Sequence, residues 1–252
     1  MGGGDDVPEA TPLNGGIAFA RFVPGWGTPD WREAHWMYRG IKAVFHYPLK
    51  WLCRIHARGW EGVPREGGVV LVSNHWSWAD PVLLQAVLGR PGFYLAKESV
   101  FTNRFNTWFF TAVGQIKVDR EKGGNDAAIV TAVQAISEGK IIGVYPEGTR
   151  STPPDLLPFK SGAVRIALLT GAPIVPVGTL TDRFWPKGKL LPRFGRRVYI
   201  AIGGPMVLGK DAALANDREA CHKLNEDLQS TVRGLLAEAM LARERKERWR
   251  YP

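Results

Sequence analysis

Residues 67–87 read GGVVLVSNHWSWADPVLLQAV, and the rest of the chain is best understood outward from them. Val69-Val70-Leu71-Val72 is a short, continuous apolar run rich in β-branched residues, the pattern of a buried strand. Asp80-Pro81 then opens a helix, with Asp80 expected as the N-cap and Pro81 at the first helical position. Downstream the same alternation continues. Phe93 to Ala96, Gln115 to Val118, Ile141 to Tyr145, Ile174 to Val177 and Val198 to Ile202 read as strands. Between them, Asn125 or Asp126 is expected to cap a helix that runs through Ile136 and stops at Gly139. Ser161 opens another, ended by Gly171 and Pro173, and from about Asp211 a long charged helix runs to the C-terminus. Strands alternating with helices predict an α/β fold: a single mixed, largely parallel sheet flanked by helices, with an N-terminal amphipathic helical element.

The chain divides into three stretches. Residues 1–30 are Gly- and Pro-rich and read as an irregular extension; residues 59–252 form the α/β domain. In between, residues 31–58 interleave Trp36, Tyr38, Phe45 and Trp51 with Arg39, Lys42, Lys50 and Arg54, and Pro48 breaks the stretch into two short helices. Aromatic and basic residues so mixed suit a helix lying at a membrane interface, and equally an amphipathic helix capping the core. No apolar run approaches the ~20 residues of a membrane span. The N-terminus MGGGDDVP lacks a secretory h-region, and Asp6 stands where a myristoylation signal wants Ser or Thr.

Composition narrows the function classes. With 45% hydrophobic and 23% charged residues over 252, global disorder is excluded. Two cysteines, Cys53 and Cys221, exclude a disulfide scaffold and a Cys-rich zinc module. A net charge of +9 points to polyanionic partners such as nucleic acid, anionic lipid or phosphorylated substrates.

Chemistry concentrates where predicted strands end. His75 lies five residues before Asp80, in Asn74-His75-Trp76-Ser77-Trp78-Ala79-Asp80-Pro81. A tight turn would let Asp80 accept from one imidazole nitrogen and leave the other free to take a proton, the pairing of general base catalysis. The structural alternative is an Asp80 that only caps its helix and a His75 that packs. A second loop, Tyr145-Pro146-Glu147-Gly148-Thr149-Arg150-Ser151, offers a close-approach glycine and donors suited to phosphate or carboxylate. No Walker A pattern occurs anywhere. Arg120 follows the strand ending at Val118, and Ala172 to Val177 is a strand bracketed by prolines.

Taken in order, these four blocks resemble the glycerophospholipid acyltransferase superfamily, of the 1-acylglycerol-3-phosphate acyltransferase type, over about residues 60 to 210. His75 and Asp80 stand in the N-H-x-S-x-x-D-P block, Arg120 in the second, Glu147-Gly148-Thr149-Arg150 in the P-E-G-T-R block, and Ala172 to Val177 in the fourth. Lys97-Glu98 and Phe159-Lys160-Ser161-Gly162 match positions between blocks. Trp76 and Tyr145 depart from the commoner residues, and neither is expected to touch the chemistry.

The resemblance implies transfer of an acyl chain from acyl-CoA or an acyl carrier protein to a lysophospholipid hydroxyl. His75 would act as base, Asp80 as its orienter, and a helix N-terminus or nearby backbone N–H as the oxyanion donor. Lys97, Arg120 and Arg150 would hold the acceptor phosphate, with Gly148 and Thr149 in the same acceptor site; Glu147 would belong to that site as a structural part of its loop or as a partner to one of these cations. No metal or organic cofactor is implied beyond the thioester co-substrate. The implied setting is peripheral, on an anionic membrane surface at its cytoplasmic face, with phosphatidic acid as product. Acylation of glycerol-3-phosphate, another lysophospholipid or a lyso-aminolipid would use the same motifs. Two rivals remain. A hydrolase using Ser77 or Ser73 lacks a G-x-S-x-G elbow. A lipid- or nucleic-acid-binding protein lacks any recognised nucleic-acid module, and the Arg243 to Arg248 run mixes charge signs like a solvated helix face.

Overall fold

In a computed structural model of the chain, residues 53–77, 79–97, 102–103, 115–118, 120–181, 193 and 195–249 are described. The strands, in chain order, are β1 (Ile55–Arg58), β2 (Val69–Ser73), β3 (Gly92–Lys97), β4 (Gln115–Val118), β5 (Ile141–Val144), β6 (Ile174–Leu180) and β7 (Val198–Ile202). The helices are α1 (Asp80–Val87), α2 (Arg120–Ser137), α3 (Gly162–Thr170) and α4 (Arg218–Glu244).

The strands form one sheet in the order β1-β7-β6-β2-β5-β3-β4. β2 through β6 are mutually parallel, β7 runs antiparallel to β6, and β1 is parallel to β7. The mixed, largely parallel sheet expected from the alternation is therefore present. β2 reads as an unbroken apolar run because both of its faces are covered. Val69 and Leu71 face a cluster with Leu83 and Leu84 of α1. Val70 and Val72 face the opposite cluster, with Ala132 and Ile136 of α2 and Val164 and Leu168 of α3. Each such fully buried aliphatic side chain stabilises the fold by roughly 1.5–3 kcal/mol.

β6 continues past the expected Val177 to Leu180 and carries Pro176 within it. Both cysteines are free and buried. Burial pushes the Cys53 thiol up to about 12, so it is protonated at neutral pH.

Several element boundaries differ from the sequence expectation. Ile55–Arg58, read as the end of the amphipathic helices, instead pairs with β7 as an edge strand. Its buried–intermediate–buried–exposed pattern is a period of two too short to stand out from the helical texture before it. The rest of that amphipathic stretch, residues 31–52, lies outside the described residues. α2 begins at Arg120 rather than at a cap of Asn125 or Asp126, and carries Gly123 and Gly124 in its interior. Its end is as expected: Gly139 adopts φ +79, and the Gly139 and Lys140 amides close on Ile136 and Ala135. α4 starts at Arg218 because two capping aspartates stand in tandem. Asp211 caps a short 3₁₀ turn by accepting from Leu214 N–H at 2.9 Å. Asp217 is the true N-cap, accepting from Glu219 and Ala220 N–H.

α4 lies so close to β6 that Gly178 has no room for a side chain. A Cβ there would stand 2.5 Å from Leu236 N and 2.6 Å from Leu235 C, both backbone atoms of the helix. Gly178→Ala is expected to cost roughly 1–3 kcal/mol. The denaturation midpoint should fall with the slope of the transition unchanged, while Gly234→Ala, inside α4 where a Cβ meets nothing within 4 Å, should raise it because alanine is the better helix former by about 1 kcal/mol.

Candidate active site

Because β2 to β6 run parallel, their C-terminal ends share one edge of the sheet, where α/β folds place their ligands. At that edge β2 parts from β6 after Ser73, and Asn74 closes the gap. Its amide donates to the Thr179 carbonyl at 2.9 Å and its side-chain oxygen accepts from the Thr179 N–H at 2.7 Å. A side chain thus replaces one rung of the backbone ladder while the main chain turns away towards His75. Beside it the Ser73 and Thr179 hydroxyls are 2.9 Å apart.

Asp80 is fully buried, and four donors converge on it. Its Oδ2 accepts from His75 Nδ1 at 2.9 Å and from the Trp76 and Ser77 N–H groups, each at 2.8 Å. Its Oδ1 accepts from the Thr181 hydroxyl at 2.7 Å. The expected cap therefore needs correction. Ala79 occupies the N-cap and makes no side-chain cap bond, Asp80 is the first helical residue, and its carboxylate turns back onto the preceding loop. The turn expected to join His75 and Asp80 is real, and the backbone amides of Trp76 and Ser77 hold it in shape. With Nδ1–H committed to the carboxylate, the other imidazole nitrogen is left as an acceptor. The His75 side chain keeps 18% of its surface open.

Glu147 fastens the second loop to the first. It is buried, and its two oxygens accept from the His75 N–H and the Leu157 N–H, each at 2.8 Å. Ser151 N–H donates to the His75 carbonyl at 2.9 Å, a second tie between the loops. Glu147 thus braces the two loops, with both oxygens taken by backbone amides.

Tyr145 also corrects an expectation, since its ring stacks on the His75 imidazole with centroids 4.2 Å apart and planes 22° apart. Tyr94 stacks behind it at 5.6 Å. Burial first, then the neighbouring Tyr94 and Asp80, push the Tyr145 hydroxyl well above the ordinary tyrosine range, so it stays neutral. Gly143 makes room for the Tyr94 ring, which a Cβ at that position would meet at 2.1 Å.

The remaining expected residues gather at the same edge. Gly148, at φ +69, makes the turn that returns its N–H to the Tyr145 carbonyl at 3.0 Å, and with Thr149 it is exposed. Arg150 is half-buried and follows directly. Lys97 is the last residue of β3, and Arg120 opens α2 two positions after β4 ends. Strand order places those two on the far side of β5 from His75. Around the head of α1, four amides are already engaged within the loop. Trp76 and Ser77 N–H serve Asp80, Ala79 N–H serves Ser77 Oγ, and Asp80 N–H serves the Ser77 carbonyl. Ser73 and Ser77, the nucleophiles of the hydrolase alternative, are buried, and each is hydrogen-bonded within its own loop or to Thr179. Among the described residues no three His, Cys, Asp or Glu side chains converge to hold a metal ion.

Sequence reasoning missed Thr181, Thr179 and Lys160. The threonines lie more than 100 positions from their partners, and nothing local marks them. Lys160 has a signal, the Phe159-Lys160-Ser161-Gly162 string, and its Nζ lies 2.8 Å from where a Gly148 Cβ would be.

A carboxylate-held imidazole at the C-terminal edge of an α/β sheet is an arrangement able to accept a proton. Residues 54–179 match the family model described as Acyltransferase. The 1-acyl-sn-glycerol-3-phosphate acyltransferase of Bacillus subtilis is 35% identical over 176 residues, covering 69% of this chain and 84% of that one. The enzyme of the same name from Borreliella burgdorferi is 33% identical over 156 residues, covering 60% of this chain and 62% of that one. Among solved structures, the 1-acyl-sn-glycerophosphate (LPA) acyltransferase PlsC from Thermotoga maritima shares the fold, with a TM-score of 0.64 over 88% of this chain and 85% of that one at 24% identity. The chain belongs to the acyltransferase family.

Proposed function

We propose that the protein moves a fatty acyl chain from an acyl thioester to the free hydroxyl of 1-acylglycerol-3-phosphate, giving phosphatidic acid. The observation that carries this reading is the half-open imidazole held by Asp80 at 2.9 Å, in a chain 35% identical to an enzyme of that name. The free nitrogen of His75 takes the proton of the acceptor hydroxyl. The oxygen attacks the thioester carbonyl, the new C–O bond forms, the C–S bond breaks, and the departing thiolate recovers the proton from the imidazolium. Because the two substrates can react directly, no covalent acyl-enzyme is required.

The test is product analysis by mass spectrometry with purified protein, lysophosphatidate, and either acyl-CoA or acyl carrier protein as donor. Phosphatidate is expected. Free fatty acid would make the protein a hydrolase, and transfer only to glycerol-3-phosphate or another lysolipid would reassign the acceptor.

Arg120 and Arg150 enter the reading as holders of the acceptor phosphate. Losing one charge-assisted contact costs roughly 1.5–3 kcal/mol, about ten- to a hundred-fold. Arg120→Ala and Arg150→Ala are expected to lower kcat/KM for the lysolipid by that factor and to leave the donor KM unchanged. An effect confined to the donor would move the pair to the thioester side.

The acceptor is a membrane lipid, and no helix among the described residues is long and apolar enough to cross a bilayer. β1 runs parallel to β7 and so opposite to β6, which puts its first residue, Ile55, at the same sheet edge as His75. The first described strand therefore begins on the side where the substrate would enter. Each Lys or Arg near an anionic surface contributes about 1 kcal/mol, screened by salt. The protein is expected to cosediment with anionic vesicles and to be released by high salt. Replacing Trp36, Phe45 and Trp51 with Ser should abolish activity on vesicle-borne lysolipid and spare activity on monomeric short-chain lysolipid. Loss on both would make these aromatics part of the core.

A further inference from the structure

Asp80 has two oxygens, and they are used unequally. Oδ2 carries the imidazole and two backbone amides, while among the described residues Oδ1 carries one donor, the hydroxyl of Thr181 at 2.7 Å. Both residues are buried, so neither bond is shared with bulk water. Thr181 is the first residue beyond β6, and its place is built rather than incidental. Two residues upstream, Thr179 is clamped through both its N–H and its carbonyl by Asn74, the residue next to His75. The strand that delivers the hydroxyl is thus fastened to the loop that delivers the imidazole.

We propose that Thr181 is a positioning residue for the catalytic base: its hydroxyl fixes the rotation of the Asp80 carboxylate so that Oδ2 faces His75 Nδ1–H. This rests on the reading of His75 as base. Without the Thr181 hydroxyl the carboxylate is held from the Oδ2 side alone and can tilt about its Cβ–Cγ bond, and a small displacement of the base costs rate steeply. Without the hydroxyl dipole the carboxylate also presents more of its charge to the imidazole. Among the described residues the titratable side chains meeting that ring are Asp80 from α1 and Tyr145 from the loop after β5. Tyr94 of β3 stands behind Tyr145, and Glu147 holds the His75 backbone amide. None of these is altered by a change at Thr181.

The test compares Thr181→Val, which keeps the shape and removes the donor, with Thr181→Ser, which restores it. One lost hydrogen bond to a charged group corresponds to a roughly ten-fold or larger effect. We expect kcat for Thr181→Val to fall about ten-fold, the acidic limb of kcat/KM to move to higher pH, and Thr181→Ser to recover both. A merely structural role would lower the melting temperature without moving the pH profile. Should Thr181→Val fail to fold, Thr181→Cys fills the same space with a weaker donor, and the same two results are expected. Nitrogen-15 NMR of the imidazoles, with His75 assigned through His75→Gln, follows the His75 titration midpoint without any substrate. A protein inactive towards lysophosphatidate whose His75 midpoint still moves upward in Thr181→Val defeats the functional reading and keeps this one. A folded Thr181→Val with wild-type kcat, an unmoved pH profile and an unmoved midpoint overturns the proposal.

Discussion

His75→Ala is expected to lower kcat for acyl transfer by about 10²–10⁴-fold, the usual worth of general base assistance, while the protein remains folded. The second half of that expectation follows from where the side chain sits. The imidazole is partly open and lies in a loop rather than inside either large apolar cluster, so its removal leaves no closed core cavity. The backbone bonds that shape the loop do not pass through the side chain. His75 N–H still reaches Glu147, and Asp80 still receives the amides of Trp76 and Ser77 and the hydroxyl of Thr181. Circular dichroism and a thermal melt should match wild type, and acyl-CoA binding should persist. Near-normal turnover in such a folded variant would falsify the assignment of His75 as the base.

What is legible in the amino-acid sequence is local in kind. Each buried strand shows as an apolar run, and Gly139 and Gly171 mark helix ends because both need left-handed backbone there. The pair His75 and Asp80 is legible because they stand five positions apart, a distance one turn can close. The support around the pair is not legible, since it comes from other strands. Thr181 reaches Asp80 across 101 positions, Glu147 reaches His75 across 72, and Tyr145 stacks on the imidazole from the end of β5. No periodicity encodes such contacts; they exist only once β2 is placed between β5 and β6. Tyr145 shows the cost most plainly. As a variation on a motif it reads as remote from the chemistry, yet in the fold its ring covers one face of the base.

Asp80→Asn should be the most informative single substitution, because its sequence-level rationale and its structural rationale differ. From spacing alone the amide is expected to favour the wrong imidazole tautomer, with its NH₂ donating to Nδ1. In the fold, the oxygen that faces Nδ1 also accepts from two backbone amides that cannot move aside. Turning an NH₂ group that way would satisfy an imidazole in its other tautomer but leave both backbone amides unpaired in a buried site, at about 1–3 kcal/mol each. The amide oxygen is therefore held on that side and the NH₂ faces Thr181, whose hydroxyl can rotate to accept. The tautomer survives, and what is lost is the negative charge that stabilises the imidazolium. Losing a charge-assisted contact to the imidazolium costs roughly 1.5–3 kcal/mol, about ten- to a hundred-fold. Asp80→Asn should accordingly fold, lose activity in that range, and show its acidic limb of kcat/KM displaced to lower pH, opposite to Thr181→Val. Asp80→Ala, by contrast, strands the Trp76 and Ser77 amides and the Thr181 hydroxyl together. It should unfold at a clearly lower denaturant concentration as well as lose activity. An Asp80→Asn protein that keeps wild-type kcat at neutral pH would mean that the carboxylate only shapes the loop.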